Sequence, residues 1–458
     1  MTSTDLLPAP PPRAAARRAL LAGSAGNLVE WYEFGVYGCF ATVIAANFFT
    51  PHAGTGAGAV TGAGALVATY ASFALAFFFR PVGALVFGRL GDRLGRRPTL
   101  VVTIGLMTLA TTLIGLLPTQ AAIGPAAPWL LTFLRVLQGL SAGGEFGGAV
   151  SVITENAPPG RRGLYGAWQS FTVALGLLAG AGTAAALATA LPEPALYAWG
   201  WRVPFLLALP LGMVALWLRT ALEEPPAAPP KVKAASEAAP GAVPEAAPGS
   251  GAHGSGGPTR RGEQVRAVFL GIGRIMGWSA AGYTFLVVLP SHLQSTLGAS
   301  FRNALLATTF ANLGFAASIL PAGLLSDRFG RRPVMLGGAL GVVVCAFPLL
   351  HVLQSADASP LTRAAAVLAA GALVGLLAGP GPAMLAEMFP RRVRCTGLGL
   401  AYALANAVFS GCAGLVITAL TARTGDIAIP AYYAAGACAL SSLALLTLRG
   451  NDHREPLR

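Results

Sequence analysis

The sequence is short of charge: Asp, Glu, Lys and Arg together make up 11% of its 458 residues, where a water-soluble chain carries about a quarter. That shortage excludes an ordinary soluble domain. Lysine is confined to Lys231 and Lys233, which follow Pro230 and Val232. Without a Gly-Lys-Ser/Thr run there is no phosphate-binding loop, so ATP-driven work is disfavoured. The five histidines (His52, His253, His292, His351 and His453) fall in expected loops, helix ends or a linker and form no H-E-x-x-H pattern; no catalytic residues, metal or cofactor are expected. The five cysteines (Cys39, Cys345, Cys395, Cys412 and Cys438) have no paired spacing, which argues against a disulfide framework and against zinc.

Apolar residues are abundant, at 54% of the chain with a mean hydropathy of +0.63. About 20 apolar residues suffice to cross a bilayer as a helix. Such runs recur at 20–48, 60–88, 99–117, 128–153, 163–190, 202–220, 266–291, 301–325, 334–354, 361–389, 394–421 and 430–448. The expected fold class is an all-α integral membrane protein with twelve transmembrane helices. The first run is too long for a signal-peptide core and contains Glu30 and Glu33, so no cleaved signal is expected.

The net charge of +13 is distributed unevenly. Arginines cluster in the termini and in alternate connections, as at Arg93, Arg96, Arg97 and again at Arg328, Arg331, Arg332, while the other connections and their edges hold only Arg202, Arg302, Arg363 and Arg423. Positive residues stay on the cytoplasmic side, so both termini are expected there. The basic excess reflects topology in the lipid bilayer, not nucleic-acid binding.

Residues 223–262 change abruptly to Pro, Ala, Gly and Ser. Such composition buries too little apolar surface to offset the entropy of ordering, so a disordered cytoplasmic linker is expected. It divides the chain into a cytoplasmic tail (1–19), a six-helix bundle (20–222), the linker, a second six-helix bundle (263–449) and a final cytoplasmic tail (450–458). The halves echo each other: "GRLGDRLGRRP" at 88–98 returns as "GLLSDRFGRRP" at 323–333, which implies duplication. Parallel repeats of this kind hold their substrate near the midplane between the halves.

The doubled loop pattern G-x-x-x-D-R-x-G-R-R resembles the signature of the major facilitator superfamily. "GNLVEWYEFGVYG" at 26–38, "RVLQGLSAGGEFGGA" at 135–149, "GWRVPF" at 200–205, "LRTALEEP" at 218–225 and "AEMFPRRVRCTGLGLAYALANA" at 386–407 resemble the metabolite:proton symporter family within it. The resemblance covers about residues 20–449 without the linker. It implies the major facilitator fold and uptake of a small organic acid anion or zwitterion with protons, by alternating access. It also implies a monomer in a bacterial inner membrane. The family commonly carries Asp where this chain has Glu33, one methylene longer.

The acids expected inside the membrane are Glu30, Glu33, Glu145 and Glu387, and the bases Arg80, Arg135 and Arg274. Each costs at least about 2.5 to 3.5 kcal/mol near the bilayer centre if it faces lipid. They are therefore expected to face inward and to pair or change protonation. Glu30 and Glu33 share a helical face, and two carboxylates so close resist joint ionisation; with Glu145 they are the candidate proton-coupling residues. Either of the first two is the natural partner for Arg135. Arg80, Arg135 and Arg274 are candidate substrate ligands, because a guanidinium holds a carboxylate through two parallel hydrogen bonds. Tyr37, Gln169, Tyr283, Asn312, Tyr402 and Asn406 complete a candidate pocket, although any one of them more often glues helices together. The glycines Gly139, Gly143, Gly144, Gly147 and Gly148 read as close helix packing.

The candidate gate consists of Gly88, Asp92, Arg93, Gly95, Arg96 and Arg97 in the first loop and Asp327, Arg328, Gly330, Arg331 and Arg332 in its repeat. Asp92 and Asp327 are suited to accept from amides at a helix N-terminus, and their arginines to pair with acids such as Glu145. Two alternatives stand beside uptake: a proton-coupled exporter of drugs or metabolites, which would share the fold, and a transporter-like sensor, against which the short "NDHREPLR" tail speaks.

Overall fold

Backbone amides find no water in hydrocarbon, so a chain that crosses it satisfies them internally as helix. The computed structural model describes residues 13–50, 62–94, 96–143, 145–155, 157–220, 261–355, 357–390 and 393–449. Within these ranges the side chains of 13–23, 88, 91, 92, 94, 96, 97, 145, 152, 219, 220 and 261 lie outside the description. Most of the expected linker, 223–262, lies outside it too, as do most of the first tail and all of the last.

Each expected span is helical: α1 (Arg13–Cys39), α2 (Ala63–Leu94), α3 (Arg96–Leu116), α4 (Ala126–Ala142), α5 (Arg162–Ala190), α6 (Arg202–Thr220), α7 (Arg261–Tyr283), α8 (Phe301–Phe329), α9 (Arg331–Gln354), α10 (Pro360–Ala378), α11 (Arg394–Ala405) and α12 (Ile429–Leu445). Several run on past a local break. A π-type turn at Ala45–Phe49 prolongs α1, Glu145–Glu155 prolongs α4 and Gly381–Met388 prolongs α10. Helix α7 continues through a π-type turn at Thr284–Val288 into Leu289–Ser295, and α11 through one at Asn406–Gly411 into Ala413–Thr424.

Among the described residues, eight helices are long and apolar enough to cross a membrane on their own. The rest fall short for local reasons. Helix α6 and the segment before it bend by 49°, and α12 has only 17 residues. Helix α1 is diluted by its two glutamates, and α4 is interrupted between Ala142 and Glu145.

Large apolar side chains such as Leu85, Phe133, Val344 and Leu443 are exposed and form the lipid-facing surface. Trp129, Trp199 and Trp217 are exposed near helix ends, where an indole sits well at the membrane interface.

The two six-helix bundles use the same close crossing. In the first, a Cβ on Gly139 of α4 or on Gly143 just past its end would strike the backbone of Ala76 or Arg80 on α2; in the second, a Cβ on Gly371 of α10 would strike Ala311 on α8. Backbones approach this closely only where a residue lacks a side chain. Between the bundles, α5 packs on α8 and α2 on the α11 segment, two contacts that the duplication relates.

The bundles touch at both ends. On the face where α1 begins and α12 ends, here the terminal face, an ionic network joins them. On the opposite face Thr42 donates to Gln294 at 2.8 Å, the Tyr70 and Ser291 hydroxyls bond at 2.7 Å, and Phe40 packs on Phe301. The described residues thus hold an occluded arrangement.

Candidate functional site

Two levels of charge lie inside the first bundle. Glu30 on α1 pairs with Arg80 on α2 at 3.1 Å, both nearly buried. The Arg80 guanidinium lies over Phe77 at 4.3 Å, Phe34 at 4.7 Å and Trp31 at 5.6 Å. Each such cation–π contact contributes on the order of 0.5 to 2 kcal/mol. Tyr283 of α7 closes this box from the other bundle, 5.4 Å from Phe77 and 6.3 Å from Trp31, and its hydroxyl holds no hydrogen bond. The Glu30–Arg80 pair therefore faces the boundary between the bundles.

One turn further from the terminal face, Glu33 is 1% exposed and neither carboxylate oxygen holds a hydrogen bond. Thr111, Glu30 and Arg135 are its polar neighbours. Arg135 of α4 is fully buried and lies over the Tyr37 ring at 3.5 Å. The sequence makes Glu30 or Glu33 the partner of Arg135, but the guanidinium instead donates to Gln138 at 2.7 Å, and Gln138 donates to Thr111 on α3 at 2.6 Å. Gln138 sits three residues along the same helix and wins by proximity.

Arg274 does not join this group. Its guanidinium donates to Thr447 at 2.8 Å, and its carbonyl accepts from Ser441 on α12. The polar candidates divide similarly. Tyr37 bonds Ser72 at 2.7 Å beneath Arg135. Gln169 is buried and uses its carbonyl to accept from Asn27 and Thr172. Asn312 donates to Leu286 in the π-type turn of α7, leaving its side-chain oxygen unbonded. Tyr402 stacks on Phe146 of the first bundle, with centroids 3.4 Å apart. Asn406 donates to the carbonyl of Tyr402 and accepts from Ser410.

At the terminal face, Asp327 at the end of α8 accepts from the amides of Gly163 at 2.7 Å and Leu164 at 2.9 Å, at the N-terminus of α5. Those amides lack intrahelical partners and carry the positive end of the helix dipole. Arg331 ties Asp327 to Glu387, at 2.8 Å and 2.9 Å. Gly330, between α8 and α9, has φ +98°, a conformation that glycine alone adopts readily. Arg93 and Arg328 are exposed and Arg332 half-buried. The side chains of Asp92, Arg96, Arg97 and Glu145 and the setting of Gly88 and Gly95 lie outside the described residues.

Two further pairs cross the interface reciprocally. Arg394, at the start of α11, holds Glu155 at 2.6 Å, and Arg162, at the start of α5, lies 3.6 Å from Glu387. Of these four the sequence reading singles out only Glu387, as an acid expected to pair, yet a signal for the whole set is present: each glutamate stands seven residues before an arginine, Glu155 before Arg162 and Glu387 before Arg394. Each arginine pairs across the interface with the glutamate of the other copy.

Residues 19–239 match the profile of the family described as "Sugar (and other) transporter", and residues 267–458 that of the "Major Facilitator Superfamily". The proline/betaine transporter of Salmonella typhimurium strain LT2 is 33% identical over 422 residues, covering 91% of this chain and 80% of that one. The chain belongs to the major facilitator superfamily. The citrate-proton symporter of Klebsiella pneumoniae is 33% identical as well, over 91% of this chain and 88% of its own length. A D-xylose-proton symporter crystal structure superposes with a TM-score of 0.70 over 94% of this chain and 96% of that one. At 19% identity that likeness speaks for the fold alone. This member of the superfamily is a multi-pass membrane transporter.

Proposed function

We propose that the protein takes up a small organic acid anion or zwitterion together with protons, by alternating access, in a bacterial cytoplasmic membrane. The reading places the terminal face and both termini in the cytoplasm, where the arginines of the repeated loops lie. It treats 20–222 and 263–449 as the moving bundles, 223–262 as their linker, and the protein as a monomer.

One observation carries the proposal: a buried carboxyl with no hydrogen bond, Glu33, stands one helical turn from a carboxylate–guanidinium pair, Glu30–Arg80, at the boundary between the bundles. A charged carboxylate in the bilayer interior without hydrogen bonds is costly, so Glu33 is the natural holder of a proton during the crossing. Glu30 neutralises Arg80 when the carrier is empty. An arriving substrate carboxylate competes for the same guanidinium, with Tyr283 and Asn312 from the second bundle as additional polar contacts. The Asp327, Arg331–Glu387 and Arg394–Glu155 contacts close the cytoplasmic gate and break as the bundles rock inward. The relatives' printed names, proline/betaine transporter and citrate-proton symporter, support the substrate range and the coupling.

The test is accumulation of radiolabelled proline, glycine betaine, alpha-ketoglutarate, citrate and shikimate, each alone, in proteoliposomes. The expected result is concentrative uptake of at least one compound that rises with an inward proton gradient. Exchange indifferent to the gradient would make the protein a uniporter or exchanger.

A further inference from the structure

A small recess opens beside Glu30 on the terminal side, just large enough for a water molecule. Its walls come from three helices of the first bundle: Gly26 and Glu30 from α1, Thr103 and Met107 from α3, Ser141 and Ala142 from α4. None of the described lining residues belongs to the second bundle. The substrate passage of a two-bundle transporter runs between the bundles, so this recess lies off that passage.

The same three helices carry polar groups onward, turn by turn. On α1 Glu30 is followed by Glu33 and Tyr37; on α3 Thr103 leads to Thr111; on α4 the order is Ser141, Gln138, Arg135. Ser141 donates to the carbonyl of Thr103, Gln138 to Thr111, and the Tyr37 hydroxyl bonds Ser72 on α2. Among the described residues, the charged and titratable groups around the carboxyls are Tyr32 and Tyr37 on α1 itself, Arg80 from α2, Arg135 from α4, and Tyr283 and Tyr402 from the second bundle; α3 presents hydroxyls.

We propose that the proton leaves through this seam inside the first bundle, passing from the α1 carboxyls to water in the recess and on to the terminal face, while the substrate leaves between the bundles. Apart from Glu30, the described residues that line the recess bring hydroxyls and apolar groups, which suits it to a neutral water and a transient proton but not to an organic anion. Separate exits let Glu30 recapture Arg80 without waiting for the central chamber to flood. The inference rests on the symport reading above.

The experiment fills the recess with Ala142→Leu and keeps Ala142→Ser as the control, in the full-length protein in liposomes. Three readouts are taken: proton-gradient-driven uptake, counterflow at equal pH, which needs no proton release, and hydroxyl-radical oxidation of Met107, which needs no substrate and reports water at the recess. The expected result for Ala142→Leu is a loss of about a hundredfold in gradient-driven uptake, the lower end of what a positioned proton-transfer group contributes, with counterflow at the wild-type rate and Met107 protected. Ala142→Ser keeps all three. Preserved counterflow also certifies folding. Unoxidised Met107 in the wild type would mean a dry recess, and full gradient-driven uptake in a leucine variant with Met107 protected would mean another exit; either overturns the inference. If the wild type oxidises Met107 but transports without regard to the proton gradient, it is the symport reading that fails.

Discussion

Glu30 and Glu33 are one turn apart on α1 and of the same chemistry, yet the fold gives them different company. Glu30 meets a guanidinium at 3.1 Å, whereas neither oxygen of Glu33 makes a hydrogen bond. In the proposed cycle Glu33→Gln mimics the protonated carboxyl permanently. Its expected outcome is counterflow near the wild-type rate with no acceleration by an inward proton gradient; unchanged gradient-driven uptake would remove Glu33 from coupling. Arg80→Lys keeps the charge but loses the planar fork and the ring stacking on Phe77 and Phe34. The apparent affinity for the transported acid is expected to fall by about tenfold, the equivalent of roughly 1.4 kcal/mol, and an equilibrium binding measurement on the two proteins checks it. The presence of these charges was legible in the sequence, because charge inside an apolar run stands out. Their pairing was not: Glu30 chooses Arg80, and Arg135 chooses Gln138, according to how each helix is rotated about its axis, which spacing along one chain does not encode.

At the scale of elements, the doubled loop motif and the twelve apolar runs were readable because each helix must satisfy its own amides in hydrocarbon. The breaks were less so. The π-type turns at Thr284–Val288 and Asn406–Gly411 follow no proline, and their carbonyls find partners such as Asn312 only after the helices have packed. The reciprocal clasp of Arg394 with Glu155 and Arg162 with Glu387 is legible in the repeated seven-residue spacing, a second trace of the duplication beyond the doubled loop. In the proposed cycle, Arg394→Glu places two acids together at the cytoplasmic gate. It is expected to favour the inward-open state, read as faster alkylation of a cysteine placed in the central chamber from the terminal side. Combining it with Glu155→Arg restores the pair in reverse and is expected to return labelling toward the wild-type rate. Labelling that stays fast in the double variant would show that the pair does not hold the gate.

At the scale of the whole molecule, the duplication supplies two bundles with matching internal crossings, and the chemistry is placed asymmetrically within them. Both carboxyls and both central arginines belong to the first bundle, while Tyr283, Asn312 and Tyr402 come from the second. On this account the first bundle carries the proton and the anion-binding charge, and the second completes the chamber. The sequence marked the two halves clearly but left Arg274 among the central arginines, because its depth along α7 was readable and its direction toward α12 was not.

The account's central claim is that proton and substrate cross together. It is tested most directly with purified protein in liposomes, a pH dye in the outside medium, and the accumulated compound added without any imposed gradient. The account predicts that the outside medium alkalinises as the compound enters and that Glu33→Gln abolishes the pH change while retaining exchange. Entry of the compound with no movement of protons in the wild-type protein would contradict it.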